Sequence, residues 1–126
     1  MLQQNKLKTE LRRKVGSLAN LYKNSKVDLT STDVTTLYTA PTATTAIIKS
    51  LLVSDDSGSG DTITVTLTNS ASAVFSLFKT KAIGANATVE LLTNPLVVAE
   101  SEILKVTAAT ADRLHVTASY LEVTNA

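Results

Sequence analysis

One histidine, a loop with three carboxylates and a cluster of three cations are the places where this chain could do chemistry. His115 is the sole histidine. As a general base it would need a carboxylate to orient it and a nucleophile within reach. The nearest acid in sequence, Asp112, belongs to a turn, so the spacing predicts a solvent-facing or interface histidine on a strand, opposite Leu114 and Val116. The stretch Asp55-Asp56-Ser57-Gly58-Ser59-Gly60-Asp61 offers oxygens and flexible glycines of the kind that hold Ca²⁺. Its spacing departs from D-x-[DN]-x-[DN]-G, and no closing glutamate follows. It reads instead as a polar connection between two strands. Serines and threonines abound, yet no G-x-S-x-G elbow, Walker loop or GxGxxG occurs. The absence of cysteine excludes disulfides, thiolate zinc sites and thiol nucleophiles, and a single histidine excludes a multi-histidine metal cluster. The residues therefore predict no catalytic site, cofactor, metal centre or small-molecule substrate: a non-enzymatic protein. Aromatic residues are only 4% of the chain and tryptophan is absent, which is sparse for a pocket or binding groove.

The cations have a different meaning. Residues 1–26 hold seven basic residues, Arg12, Arg13 and Lys14 among them, against the single acid Glu10. Residues 27–126 hold five basic and ten acidic residues, so a net charge of +1 conceals two parts of opposite sign. Leu7, Leu11, Val15, Leu18 and Leu21/Tyr22 recur at steps of three and four, which predicts one apolar stripe on a helix with the cations mostly off it. Gly16 weakens that helix by roughly 1 kcal/mol relative to Ala, and an isolated helix of this length is marginal in water. It needs a surface to pack on, either its own sandwich or another subunit. A stripe as regular as the charge favours a protein partner over nucleic acid or a membrane. The expected interface is Leu7, Leu11, Arg12, Arg13, Lys14, Val15, Leu18 and Leu21. These first 26 residues lack the uninterrupted apolar run of a signal peptide, and no stretch approaches a membrane span. Use in a cytoplasm-like compartment, or release from one by lysis, is the expectation; the sequon Asn86-Ala87-Thr88 then reads as chance.

Composition changes near residue 27, beyond which lie nineteen of the twenty threonines. Thr62-Ile63-Thr64-Val65-Thr66-Leu67-Thr68 alternates strictly, as a half-buried strand does. Further strands are predicted near Thr35–Tyr38, Thr45–Ser54, Ala73–Lys79, Thr88–Leu92, Glu102–Thr107 and Leu114–Val123, with a short one at Leu96–Val98. Turn-rich stretches separate them, including Ala40–Ala43, Gly84–Asn86, Asn94-Pro95 and Ala109–Asp112. Seven or eight short strands spaced this way predict a mainly β chain: an antiparallel, jelly-roll-like β-sandwich over 27–126, with an amphipathic helical arm over 1–26. The expected core is Ile48, Leu52, Ile63, Val65, Leu67, Phe75, Leu77, Val89, Leu91, Leu104, Val106, Leu114, Val116 and Tyr120. Two strands are apolar on both faces: Ile47, Leu51 and Val53 in one, Leu121 and Val123 in the other. Either a bulge shifts the phase or a neighbouring subunit covers the second face.

Leu37-Tyr38-Thr39-Ala40-Pro41, Thr45 to Val53, the Ser/Gly loop, Ile63–Leu67, Ile103 to Thr107 and Leu114–Val123 together resemble a group of small β-sandwich virion proteins of tailed phages. The likeness spans roughly residues 34–124 and rests on strand pattern. It implies a structural protein on the outside of a virion, assembled in the host bacterial cytoplasm. Its place would be as capsid decoration (cement) or as a neck, tail or fibre component. It also implies a homo-oligomer, commonly a trimer, bound to the major capsid protein or other virion proteins. Residues 1–26 lie outside the resemblance.

Overall fold

The computed structural model describes residues 19–124. Nine strands follow one another: β1 (Ala19–Asp28), β2 (Thr35–Thr39), β3 (Thr44–Asp55), β4 (Asp61–Thr68), β5 (Val74–Ile83), β6 (Thr88–Glu90), β7 (Leu96–Val98), β8 (Ile103–Ala108) and β9 (Leu114–Thr124). They form two antiparallel sheets. In the first, β1, β9 and β3 lie side by side, and the short β6 and β7 share the far edge of β3. The second runs β2-β8-β4-β5.

Alternation decides which side chains meet between the sheets. Ile63 and Val65 of β4 point inward while Thr62, Thr64 and Thr66 face out, Thr68 at the end of the strand being buried, and Leu104, Val106 and Ala108 continue the row on β8. Facing them are Ala46, Ile48, Leu51 and Val53 of β3 and Leu114, Val116, Ala118 and Tyr120 of β9. Each fully buried leucine or isoleucine here contributes about 1.5–3 kcal/mol relative to exposure.

Three expectations are corrected. Residues 19–26, expected as helix, are strand: all ten residues of β1 pair with β9, from Ala19 opposite Thr124 to Asp28 opposite His115. The remainder of the expected helix, 1–18, lies outside the described residues. Leu52 is exposed rather than in the core. A bulge between Ile48 and Ser50 inserts Lys49 and reverses the phase, so that Leu51 and Val53 turn inward. The bulge is held by Glu90 of β6, whose carboxylate accepts from the Leu51 amide at 2.7 Å, the Leu92 amide at 3.3 Å and the Ser50 hydroxyl. Burial works to raise that carboxyl, but these donors outweigh it and hold it below its ordinary value. Phe75 is on the inward row, opposite Leu67, yet stays 54% exposed because it lies near the open end of the edge strand β5.

Strand β9, by contrast, runs without a bulge on its pairing with β1, and its inward row ends in an acid. Glu122 follows Tyr120 inward and is buried. It accepts from the Tyr38 hydroxyl of the opposite sheet at 2.5 Å and from the Lys23 ammonium of β1 at 2.7 Å. Ser25 of β1 and Tyr120 share a hydrogen bond at 2.8 Å, and the Tyr38 and Tyr120 rings pack at 4.3 Å. One polar cluster thus ties the edge strand to both sheets.

Candidate assembly surface

Of the expected interface residues, Leu7, Leu11, Arg12, Arg13, Lys14, Val15 and Leu18 lie outside the described residues. Leu21 is on β1 opposite Glu122, 49% exposed at the end of the inward row. Its expected stripe partner Tyr22, next in a strand, necessarily points to the other face.

That other face, the outer side of the five-stranded sheet, gathers apolar residues that are distant in sequence. Tyr22 stands opposite Leu121, Leu121 opposite Ile47, and Ile47 opposite Val97. Directly opposed residues share a face, so these four form a single line across β1, β9, β3 and β7. Tyr22 is 76% and Val97 55% exposed, while Leu121 and Ile47 are half-buried between them. Val123 and Thr45 extend the patch one step along the strands. Sequence reasoning marked Ile47, Leu121 and Val123 as surplus to the core; Tyr22 and Val97 carried no such signal, because only the strand pairing places them in line. With the Lys49 bulge assigned, Leu51 and Val53 leave the outer set.

The acidic loop is built inward. Asp55 is buried, and Oδ1 accepts from the Ser57 hydroxyl at 2.5 Å and the Ser57 amide at 3.2 Å. Its Oδ2 accepts from the amides of Gly60 at 3.1 Å and Asn86 at 3.0 Å. Gly58 and Gly60 have φ of +77° and +72°, which this tight winding requires. Asp61 accepts from the Thr110 amide at 2.8 Å, and Arg113 donates to the Gly60 carbonyl at 3.0 Å. The carboxylates at the two ends of the loop are spent on capping turns. Among the described residues no group of three or more His, Asp or Glu is placed to hold a metal ion. The Ser57 hydroxyl, ahead of the backbone amides, holds the Asp55 carboxyl well below the usual carboxylate range. Its stabilising contribution is therefore present above the ordinary value and persists until the pH falls through the depressed one. Asp55→Ala strips the acceptor from four donors, and Asp55→Asn can replace only one of the two oxygens. Thermal unfolding followed by circular dichroism should show Asp55→Ala lowering the midpoint by about 5–10 °C and Asp55→Asn by less.

His115 lies beside Asp28 and Asp56 rather than Asp112, the acid nearest to it in sequence. It faces outward, half-exposed, with Nε2 3.2 Å from Asp28 and Nδ1 3.8 Å from Asp56. The two acids come from β1 and from the loop after β3, which links three segments at one end of the sheet. Phe78 is half-buried and Tyr38 buried, so they form no exposed aromatic groove.

No family model matches the chain, and no curated protein matches it in sequence. The fold itself has relatives. The chain superposes on a protein of Bacillus endospore appendages, described as a family of disulfide-linked pili, with a TM-score of 0.55 and 10% identity, over 87% of this chain and 90% of that one. On a protein of the infectious bursal disease virus Gx strain the TM-score is 0.50 at 13% identity, over 86% of this chain but 32% of the viral one. A chain of the cyanophage Pam1 capsid gives 0.39 at 18% identity, over 85% and 84%. The first two share with this protein a way of folding, a mainly β chain in packed antiparallel sheets.

Proposed function

We propose that the chain is a structural subunit of a bacteriophage virion, a capsid decoration protein that stabilises the head by bridging capsid subunits. The observation that carries this reading is the apolar line Tyr22–Leu121–Ile47–Val97 on the outer face. A sandwich with a filled interior has no use for it alone, whereas an assembly does. The strand-pattern resemblance over residues 34–124 supplies the virion as the setting. The fold shared with a pilus protein and a viral protein is compatible with a repeating subunit. Lacking cysteine, this chain would have to assemble without the disulfides named for the pili.

In this reading the sandwich contacts its own copies, as a trimer or another symmetric set. Arg12, Arg13 and Lys14 meet an acidic part of the shell formed by the major capsid protein, and the apolar stripe, docked on a neighbouring subunit, supplies most of the energy of assembly. Surpluses that are small per copy become effective when several subunits are bridged at once. The role needs no catalysis. A neck or tail adaptor would use the same surfaces at lower copy number, so counting copies in purified particles separates the two: hundreds support decoration, and a dozen or fewer overturn it. A carbohydrate- or host-surface-binding module would need an aromatic platform, but the exposed Tyr22 and Phe75 belong to different sheets.

Binding to purified heads lacking this protein tests the stripe. The double substitution Leu11→Asp with Leu18→Asp removes two apolar contacts worth about 1.5 kcal/mol or more each and should weaken binding on the order of a hundredfold. Arg12→Ala should weaken it about fivefold at physiological salt. The reverse order would replace the apolar clamp by an electrostatic tether.

A further inference from the structure

We infer that the line Tyr22–Leu121–Ile47–Val97 is the receptor for residues 7–18 of a second copy of this chain, so that each subunit both lends an arm and receives one. The inference rests on the assembly reading above and names the partner of the apolar stripe.

Dimensions agree first. Four adjacent strands place Tyr22 and Val97 about 14 Å apart across the sheet. Wound as the helix its periodicity predicts, the stripe from Leu7 to Leu18 is about 16 Å long. A helix lying across the strands would therefore bring Leu7, Leu11, Val15 and Leu18 over one line of apolar side chains, with Val123 beside it. The exit point then decides whose line it is. Strand β1 is already paired at Ala19, opposite Thr124 at the end of the sheet. The line crosses β1 at Tyr22, about 10 Å further in. Since the stripe uses the chain up to Leu18, no residue is left to carry it back that distance over its own sheet. A neighbour's line carries no such restriction.

Charge points the same way. Residues 1–18 carry five basic residues and one acid, whereas residues 19–124 carry seven basic and ten acidic. The arm and the sandwich have opposite sign, so one copy attracts the arm of another. Because donor and receptor surfaces differ, the contact is heterologous: repeated by rotation it closes a ring, and otherwise it extends a filament.

Photo-crosslinking of the full chain tests this. One copy carries Leu11→p-benzoylphenylalanine at natural isotope abundance. It is mixed before assembly with an excess of ¹⁵N-labelled unsubstituted chain, irradiated and mapped by mass spectrometry. The expected result is a mixed-isotope crosslink within residues 20–24, 45–50, 96–98 or 119–123, reduced at least fivefold when the labelled chain carries Ile47→Lys, whose own melting curve reports that it is folded. Crosslinks confined to the unlabelled copy, crosslinks to the threonine face of the other sheet, or none between chains would overturn it. Head binding is scored separately: crosslinks without it leave the arm exchange standing and sink the virion address, and binding without crosslinks does the opposite.

Discussion

A chain that begins at Ala19 is expected to keep both sheets and its thermal stability, whereas one that begins at Val27 is expected to lose about 15 °C or more and to aggregate when concentrated. The two truncations differ by eight residues, and those eight are most of β1. Composition alone would place the cut at 26, where the basic segment ends. The register of β1 on β9 moves it to 18. Removing 19–26 deletes the Lys23 partner of Glu122 and the Ser25 partner of Tyr120, and leaves Val27 without the strand that holds it against the core. It also turns β9, the longest-paired strand of its sheet, into an open edge that carries Leu121 and Val123, the kind of edge that pairs with other chains. The drop follows from several kcal/mol of lost interactions at roughly 4–8 °C per kcal/mol for a domain near this size. Thermal unfolding by circular dichroism and size-exclusion chromatography of both truncations are the measurements. Equal midpoints would mean that β1 is a passenger on the sandwich. The Ala19 form should nevertheless fail to join the assembly, since the arm is gone while the fold remains.

The second large effect is expected at Glu122. Burial alone would raise its carboxyl, but the Lys23 and Tyr38 hydrogen bonds outweigh that and hold it below its ordinary value. Burial, and then the hydrogen bond to Glu122 and its charge, push the Tyr38 hydroxyl up, so tyrosine donates and glutamate accepts throughout the physiological range. Glu122→Ala leaves a buried hydroxyl without its acceptor and an ammonium without its counter-charge. A fully buried pair broken on one side costs about 3–5 kcal/mol; half-exposed Lys23 can turn to water, so about 2–3 kcal/mol is expected here, a fall in midpoint on the order of 10 °C. The pH dependence has a definite sign. Because the folded carboxyl is depressed, its stabilisation is complete above the ordinary value and is lost as pH falls through the folded one. The wild-type chain should therefore lose stability on acidification over that window more steeply than Glu122→Gln, which has no carboxyl to protonate. Parallel curves for the two would remove Glu122 from the account. Tyr38→Phe should cost less than Glu122→Ala, because Lys23 still neutralises the acid.

Much of the strand layout was legible because it is written in local chemistry. Thr62 to Thr68 alternates, and in the fold Ile63 and Val65 face inward while Thr62, Thr64 and Thr66 face out, the alternation ending at the buried Thr68. Pro41 and the glycines of 58–60 mark turns that the backbone uses. The candidate surface was half legible: Ile47, Leu121 and Val123 stood out as apolar residues that one core could not absorb. What could not be read was anything that depends on a partner strand. Ala19–Asp28 has no apolar alternation and is mostly exposed, so its extended form comes from β9 and not from its own side chains. The same residues fit a helical period by spacing, and Leu21 and Tyr22 were assigned to one stripe when the strand sends them to opposite faces.

By itself, the sequence determined a cysteine-free, threonine-rich β chain with a basic beginning of amphipathic spacing and without a G-x-S-x-G, Walker or GxGxxG motif, because residue type and period 2 or 3.6 are local properties. Tertiary structure alone decided that Lys49 is extruded and Leu51 turned inward, that Glu122 is buried between Tyr38 and Lys23, and that Asp55 faces into its loop. It also decided that Tyr22, Leu121, Ile47 and Val97 stand in one line. Each of these depends on pairing between strands that are far apart in the chain, and register across a sheet has no counterpart in the order of residues along it.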